Sequence, residues 1–150
     1  MTDLLKKTSI YTHFSAIYIY CLNLKFIFPF QMYIQRNAIA GFDTSIIEIN
    51  DCAKLRFGPN AVSDLRNLRK VSVNNIGSVT FEQNSLNWYG YRDININQEE
   101  RFDLSIPSLK ISIRDSTVKS VGSQTFSGRI NEILFEHVTI DTIDAFALQI

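Results

Sequence analysis

Asp115 and His137 come closest to a catalytic pair among the residues of this chain. A carboxylate beside an imidazole can move a proton in general acid–base catalysis. Each residue comes two positions after a short apolar stretch, with Arg114 or Glu136 between, and Asp51 and Asn75 follow Asn50 and Asn74 in the same way earlier in the chain. Asp and Asn are also favoured where a strand enters a turn, because they bond nearby backbone groups and tolerate left-handed conformations. Turn chemistry is therefore the preferred interpretation of these positions, and catalysis is the alternative.

Metal, nucleophile and nucleotide sites find little support in the sequence. His13 and His137 are the two histidines, and no HExxH, CxxC or GxSxG motif accompanies them. The six glycines are scattered, so they form no phosphate-binding loop. Cys21 and Cys52 suggest no disulfide framework, and Cys52 is interpreted as a small buried core residue. We expect no cofactor and no metal.

An aromatic stretch at residues 87–103, "NWYGYRDININQEERFD", stands apart from the rest of the chain. It places Trp88, Tyr89 and Tyr91 next to Arg92. Aromatic rings beside a guanidinium group are typical of protein and carbohydrate contacts. We predict that these four residues bind a partner. The alternative is that the same rings pack over the body of the protein.

The charge of the chain is balanced overall but divided between two segments. Fifteen Lys and Arg residues match fifteen Asp and Glu residues. This balance does not favour nucleic-acid binding, which needs an excess of positive charge. Residues 1–40 hold four basic residues and one acidic residue, so residues 41–150 are net acidic. We therefore predict a separate segment at 1–40 and a main domain at 41–150.

Residues 1–40 have the order of a secretory signal peptide, which predicts a secreted, extracellular protein. That order is Lys6 and Lys7, then an apolar stretch from Phe14 to Phe30, then Ala38, Ile39 and Ala40. A membrane anchor is one alternative, and the protein would then contact the membrane only through this segment. An N-terminal cap is another, because "YCLNLKFIF" alternates as a half-buried strand does.

Four segments of the main domain repeat one apolar pattern. They are Ile47, Ile49, Cys52, Leu55, Phe57, Val62; Val71, Val73, Ile76, Val79, Phe81, Leu86; Ile111, Ile113, Ser116, Val118, Val121, Phe126; and Ile133, Phe135, Val138, Ile140, Ile143, Leu148. The last two segments share one spacing, and the first two differ from it by a one-residue slip in the middle. The step from the second segment to the third is longer, because it holds an insertion at about residues 87–103.

A repeat of roughly 20–25 residues with short β-branched runs is typical of a parallel solenoid, in which each turn stacks its strand on the one below. We predict a mainly β fold, a parallel β-solenoid of about four turns with one insertion. Ile47, Val71, Ile111 and Ile133 are expected to share one interior column, since alternate residues of a strand face the same side.

Two solenoid classes resemble this pattern. The run "VSDLRNLRKVSV" resembles the core of leucine-rich repeats, and Phe126 is similar to the phenylalanine that closes many extracellular repeats of that class. Leucine-rich repeats usually place Asn or Cys at the position where this chain has Cys52, Ile76, Ser116 and Val138. The step from Ile111 to Ile133 resembles a right-handed parallel β-helix, as in some uncharacterised insect extracellular proteins. The β-helix is the preferred geometry and the leucine-rich repeat is the alternative.

These resemblances imply a non-enzymatic extracellular repeat protein that presents a solenoid face to protein or matrix partners. The alternative is a carbohydrate-active β-helix enzyme of the polysaccharide lyase or hydrolase type, or an inactive remnant of one. Such enzymes gather acids on neighbouring turns, and Asp115 beside His137 is the nearest equivalent here. The last turn is apolar at Ile140, Ile143, Phe146 and Leu148, so self-association through an open C-terminal end is also expected.

Overall fold

The computed structural model describes residues 19–20, 23–27, 30–36, 38, 42–43, 45–63, 65, 67–88 and 108–149. In these ranges the chain forms β-strands joined by turns and bends. None of the described residues belongs to a helix that is long and apolar enough to cross a membrane.

The strands follow one another at short intervals along the chain. They are β1 (Ile19–Tyr20), β2 (Asn23–Ile27), β3 (Gln31–Ile34), β4 (Phe42–Asp43), β5 (Ile46–Asn50), β6 (Lys54–Phe57), β7 (Lys70–Asn74), β8 (Ser78–Phe81), β9 (Leu109–Arg114), β10 (Thr117–Val121), β11 (Phe126–Ser127), β12 (Ile130–Glu136), β13 (Thr139–Ile143) and β14 (Leu148–Gln149).

Two parallel sheets form the walls of a β-solenoid. Within the described residues, one sheet has the order β12-β9-β7-β5-β2 and the other has the order β13-β10-β8-β6-β3. Short parallel pairs, β1 with β4 and β11 with β14, accompany them. Each turn adds one strand to each of the two larger sheets, whereas a leucine-rich repeat has one strand and a helix or 3₁₀ segment. The predicted β-solenoid is confirmed, with the two-walled arrangement of its β-helix-like form.

The predicted interior column exists. Ile47 pairs with Val71, Val71 pairs with Ile111, and Ile111 pairs with Ile133. The first three side chains are buried, and Ile133 is partly buried against the same core. The alternation of apolar and polar residues thus sets which side of each strand faces the core.

The one-residue slip in the repeat is a β-bulge. Val118 pairs with Val79 and Val121 pairs with Phe81, so three steps along β10 oppose two steps along β8. The register shifts between Val118 and Ser120, and Lys119 is the additional residue. A bulge places one extra residue in a strand without turning the following side chains to the wrong face. Both flanking valines are accordingly buried.

Aromatic side chains fill one part of the core across successive turns. The rings of Phe57 and Phe81 are stacked with centroids 5.2 Å apart. Phe126 contacts Phe81 at 5.5 Å and Phe135 at 6.0 Å, in tilted and edge-on arrangements. Such offset and edge contacts are the favourable geometries for aromatic pairs. Phe126 is therefore a buried core residue that contacts the rings of Phe81 and Phe135.

Stacking continues into the segment before residue 41. Strand β2 pairs along its length with β5, and β3 pairs with β6. Met32, Ile34 and Ala38 are buried in the same core as the later turns. The alternation in "YCLNLKFIF" thus coincides with a strand at residues 23–27. Leader function and cleavage of residues 1–40 stay predictions.

Candidate functional site

One column of corner residues holds the polar side chains that first suggested catalysis. Asp51, Asn75, Asp115 and His137 have φ values of 57°, 54°, 47° and 51°. This left-handed region is open to Asn, Asp and His at lower cost than to most residues. The amide of Asp115 donates to the carbonyl of Glu136 at 3.0 Å, so each corner also joins the next turn. The backbone confirms the turn-chemistry interpretation of this column.

Asp115 and His137 do lie together. Asp115 Oδ1 is 3.1 Å from His137 Nδ1, and the two side chains are 63% and 77% exposed. Interactions between groups this exposed are screened by water and contribute little stability. The described residues contain no group of three or more metal-ligating side chains around them or elsewhere. The pair therefore acts as a solvated contact across two neighbouring corners.

Amides link the earlier turns at the same edge. Asn74 Nδ2 donates to Asn50 Oδ1 at 2.8 Å, and Asn75 Nδ2 donates to Asp51 Oδ1 at 2.7 Å. Ser116 Oγ lies one step further along the chain and accepts from the backbone amide of Ile76 on the preceding turn at 3.0 Å. These bonds satisfy polar groups where the strands end, so they favour the stacked register.

Ion pairs connect the last two turns on the outer surface. They are Lys110 with Glu132 at 3.1 Å, Arg114 with Glu136 at 2.9 Å, and Lys119 with Asp141 at 2.9 Å. In each pair the cation lies on the earlier turn and the acid lies on the last one. Residues 130–149 hold four acids and no Lys or Arg. The last turn is therefore acidic, and the turn beneath it is basic.

Cys52 is a buried free thiol between β5 and β6. Its Sγ donates to the carbonyl of Lys54 at 2.9 Å. Burial raises the pKa of the Cys52 thiol, an effect that exceeds the opposing effect of backbone hydrogen bonds from Lys54 and Met32. A raised pKa lowers the thiolate fraction and with it the reactivity. The predicted role as a core residue is confirmed.

Of the four residues predicted to bind a partner, the structure describes Trp88. Its side chain is fully buried, and Nε1 donates to the carbonyl of Leu65 at 2.9 Å. Trp88 also forms a parallel bridge with Gly128 on the next turn of the solenoid. Tyr89, Tyr91 and Arg92 lie outside the described residues, as does most of the insertion at 87–103. Partner binding by this segment stays a prediction, whereas the ring of Trp88 packs in the core.

Among the residues that the structure describes, the most exposed apolar surface is at the C-terminal end of the stack. We call it the end face and define it by Phe135, Ile140, Ile143, Phe146 and Leu148. Ile143, Phe146 and Leu148 are 55%, 72% and 50% exposed. The apolar pattern of the last turn predicted an open end but not Phe135, because this phenylalanine occupies an interior position in the repeat. The described N-terminal strands, β2 and β3, lie at the opposite end of both sheets.

No family model matches the chain, and no curated protein and no solved structure is significantly similar to it. The function must therefore be inferred from the geometry of this chain.

Proposed function

We propose that this chain is a non-enzymatic extracellular repeat protein that binds a protein or matrix partner through its solenoid surface. The end face carries this proposal, because five large apolar side chains are exposed on one turn. Soluble proteins seldom expose clustered apolar residues unless another molecule covers them. We also propose that the protein is extracellular, as are the insect proteins built from right-handed β-helical turns that it resembles.

The insertion supports a second contact region within the same function. Tyr89, Tyr91 and Arg92 follow directly after Trp88, which is held in the core by its hydrogen bond to Leu65. Aromatic and Arg residues are over-represented among the residues that dominate binding. We therefore keep these three residues as candidate partner contacts.

Secretion is proposed from the order of charges and apolar residues in the first forty positions. Cleavage after Ala40 would remove β2 and β3, which pair with β5 and β6. Expression of the full chain in secreting cells tests both points, with mass spectrometry of the N-terminus of any protein found in the medium. We expect the protein in the medium. Retention in the cytosol would contradict an extracellular role, and recovery with the membrane fraction would favour the anchor.

Binding can be tested with a photo-crosslinking amino acid in place of Phe146, the most exposed residue of the end face. The control places the same group at Phe30, which is 60% exposed and lies at the other end of the stack. We expect a discrete adduct with a second polypeptide from position 146 and none from position 30. Equal labelling at both positions, or no adduct at either, would contradict a binding surface at the end face.

A further inference from the structure

The end face continues columns that are buried one turn below. Ile140 pairs with Val118 and Ile143 pairs with Val121, and both valines are buried. Within the described residues, β12 and β13 are the outermost strands of the two larger sheets, so each has one open edge. Open parallel edges accept a further strand through backbone hydrogen bonds. The end face therefore offers both an apolar surface and the hydrogen-bonding groups for another layer.

Phe146 has an unusual backbone for its type. It lies in a second column of left-handed corners, with Asn60, Asn84 and Gln124 on the earlier turns. The amide of Gln124 donates to the carbonyl of Phe146 at 2.8 Å, which places the two residues at the same corner. A bulky side chain with φ of 61° costs backbone energy, and its exposure gains nothing from burial in return. Both costs become understandable if a bound molecule covers this ring.

The acidic residues beside the end face favour a positively charged ligand. Glu132, Glu136 and Asp141 remain 53%, 47% and 41% exposed although each already meets a cation of the turn below. Asp144 adds a fourth acid. The acids line the outer surface beside the open edges of β12 and β13. A strand that pairs there with Lys or Arg opposite the acids would repeat the contacts that the turn below already makes.

A second copy of the chain fits this surface poorly in an end-to-end dimer. Such a dimer would bring the same acids of two copies together, because the symmetric interface pairs each patch with itself. Like charges opposite each other on neighbouring strands are destabilising.

We propose that the end face binds an extended segment of a partner protein in which apolar residues alternate with Lys or Arg. The segment adds to β12 and β13 as a further layer, its apolar residues cover Phe135, Ile140 and Ile143, and its cations meet Glu132, Glu136 and Asp141. This inference rests on the proposed binding function and names the chemistry of the partner.

The chain itself supplies the probe. The peptide "LKISIRDSTVKSV" copies residues 109–121, whose three cations match the three acids of the last turn in register. A matched control peptide carries Glu in place of Lys110, Arg114 and Lys119. With fluorescently labelled peptides and the full chain, we expect saturable binding that is at least tenfold weaker for the control and that weakens as salt is raised.

Variants of the chain locate the binding surface. The double substitution Ile143→Thr and Phe146→Asn changes exposed residues, and Asn tolerates the left-handed backbone at position 146 better than Phe does. The variant should therefore unfold at a temperature no lower than that of the parent chain. It should bind the basic peptide at least tenfold more weakly. Phe30→Asn changes an aromatic residue that is 60% exposed at the other end of the stack, and it should leave binding unchanged.

Three results would overturn the inference: no binding of the basic peptide, equal binding of both peptides, or binding that ignores the end-face substitutions. Sedimentation velocity of the chain alone tests whether a second copy of the chain occupies the end face. A dimer that the double substitution dissolves would show that a second copy covers the face. If the peptides fail while the photo-crosslinker at position 146 still captures a polypeptide, the partner chemistry is wrong and the binding function stands. If neither the peptides bind nor the photo-crosslinker captures a polypeptide, both the partner chemistry and the binding function are wrong.

Discussion

At the scale of single residues, backbone conformation explains why Asp and Asn recur at the corners. Asn75 has φ of 54°, and its side chain bonds to the exposed corner residue Asp51. Replacing Asn75 by Ala or by Gly removes this bond equally, but only Ala meets the steric cost of the left-handed region. We expect Asn75→Ala to be less stable than Asn75→Gly by about 1 kcal/mol in urea unfolding. Equal stability of the two variants would show that the corner is not strained for a residue with a side chain.

Cys52 provides a pH-dependent test of the core. Its pKa is raised by burial, so the folded protein holds the thiol proton to a higher pH than the unfolded chain does. Unfolding then releases a proton above about pH 8.5, the ordinary thiol pKa. The stability contributed by the neutral thiol is complete below that pH and is lost as pH rises through the raised pKa. We expect the stability difference between the parent chain and Cys52→Ala to shrink from pH 8 to pH 10 in denaturant titrations, and a constant difference would contradict it.

At the scale of strands and turns, close stacking leaves no room at some corners. A Cβ on Gly122 would lie 2.6 Å from the backbone nitrogen of Gln83, whereas on Gly58 its nearest neighbour would be the Tyr33 hydroxyl at 3.0 Å. Backbone atoms of the next turn cannot move aside as a side chain can. Gly122→Ala should therefore cost about 1–3 kcal/mol, and Gly58→Ala should cost clearly less. Thermal unfolding of the two variants measures which substitution costs more stability. A larger loss for Gly58→Ala than for Gly122→Ala would contradict the expectation.

The strand pattern could be predicted from the sequence because each turn repeats it. Residues such as Val71 and Ile111 match across segments, and even the bulge at Lys119 is visible as a slip of one position. Features that occur once leave no such signal. The burial of Trp88 has no counterpart in the other segments, and Phe146 fits the apolar pattern without revealing its left-handed backbone. The apolar residues before position 41 suit a leader and a strand equally, so alternation alone could not distinguish them.

At the scale of the whole molecule, the two ends of the stack differ. At the N-terminal end Met32 and Ile34 are buried, while at the C-terminal end Ile140 and Ile143 are exposed although they occupy the same columns. In a solenoid each turn is stabilised mainly by its neighbours, so a turn that loses its covering strands loses much of its stability. Binding at the end face and loss of strands at the other end should thus change stability in opposite directions.

Removal of residues 1–40 tests this dependence directly. The truncated chain loses β2 and β3, which uncovers Ile47, Leu55 and Phe57 and opens the edges of β5 and β6. Both ends of the stack would then expose apolar residues and unpaired strand edges, which favour association between chains. We expect residues 41–150 to unfold at a lower temperature than the full chain and to form oligomers at micromolar concentration in light scattering.

The matched control for this truncation removes residues 1–18 only, since it keeps every strand that the structure describes. We expect this shorter deletion to stay closer to the full chain in unfolding temperature and in size. A monomeric and equally stable 41–150 chain would show that β2 and β3 contribute little to the stack, and residues 1–40 could then be cleaved as a leader without loss. A chain that tolerates only the shorter deletion would instead make Asn23–Ile27 and Gln31–Ile34 part of the folded domain, and the secreted protein would then have to keep both strands.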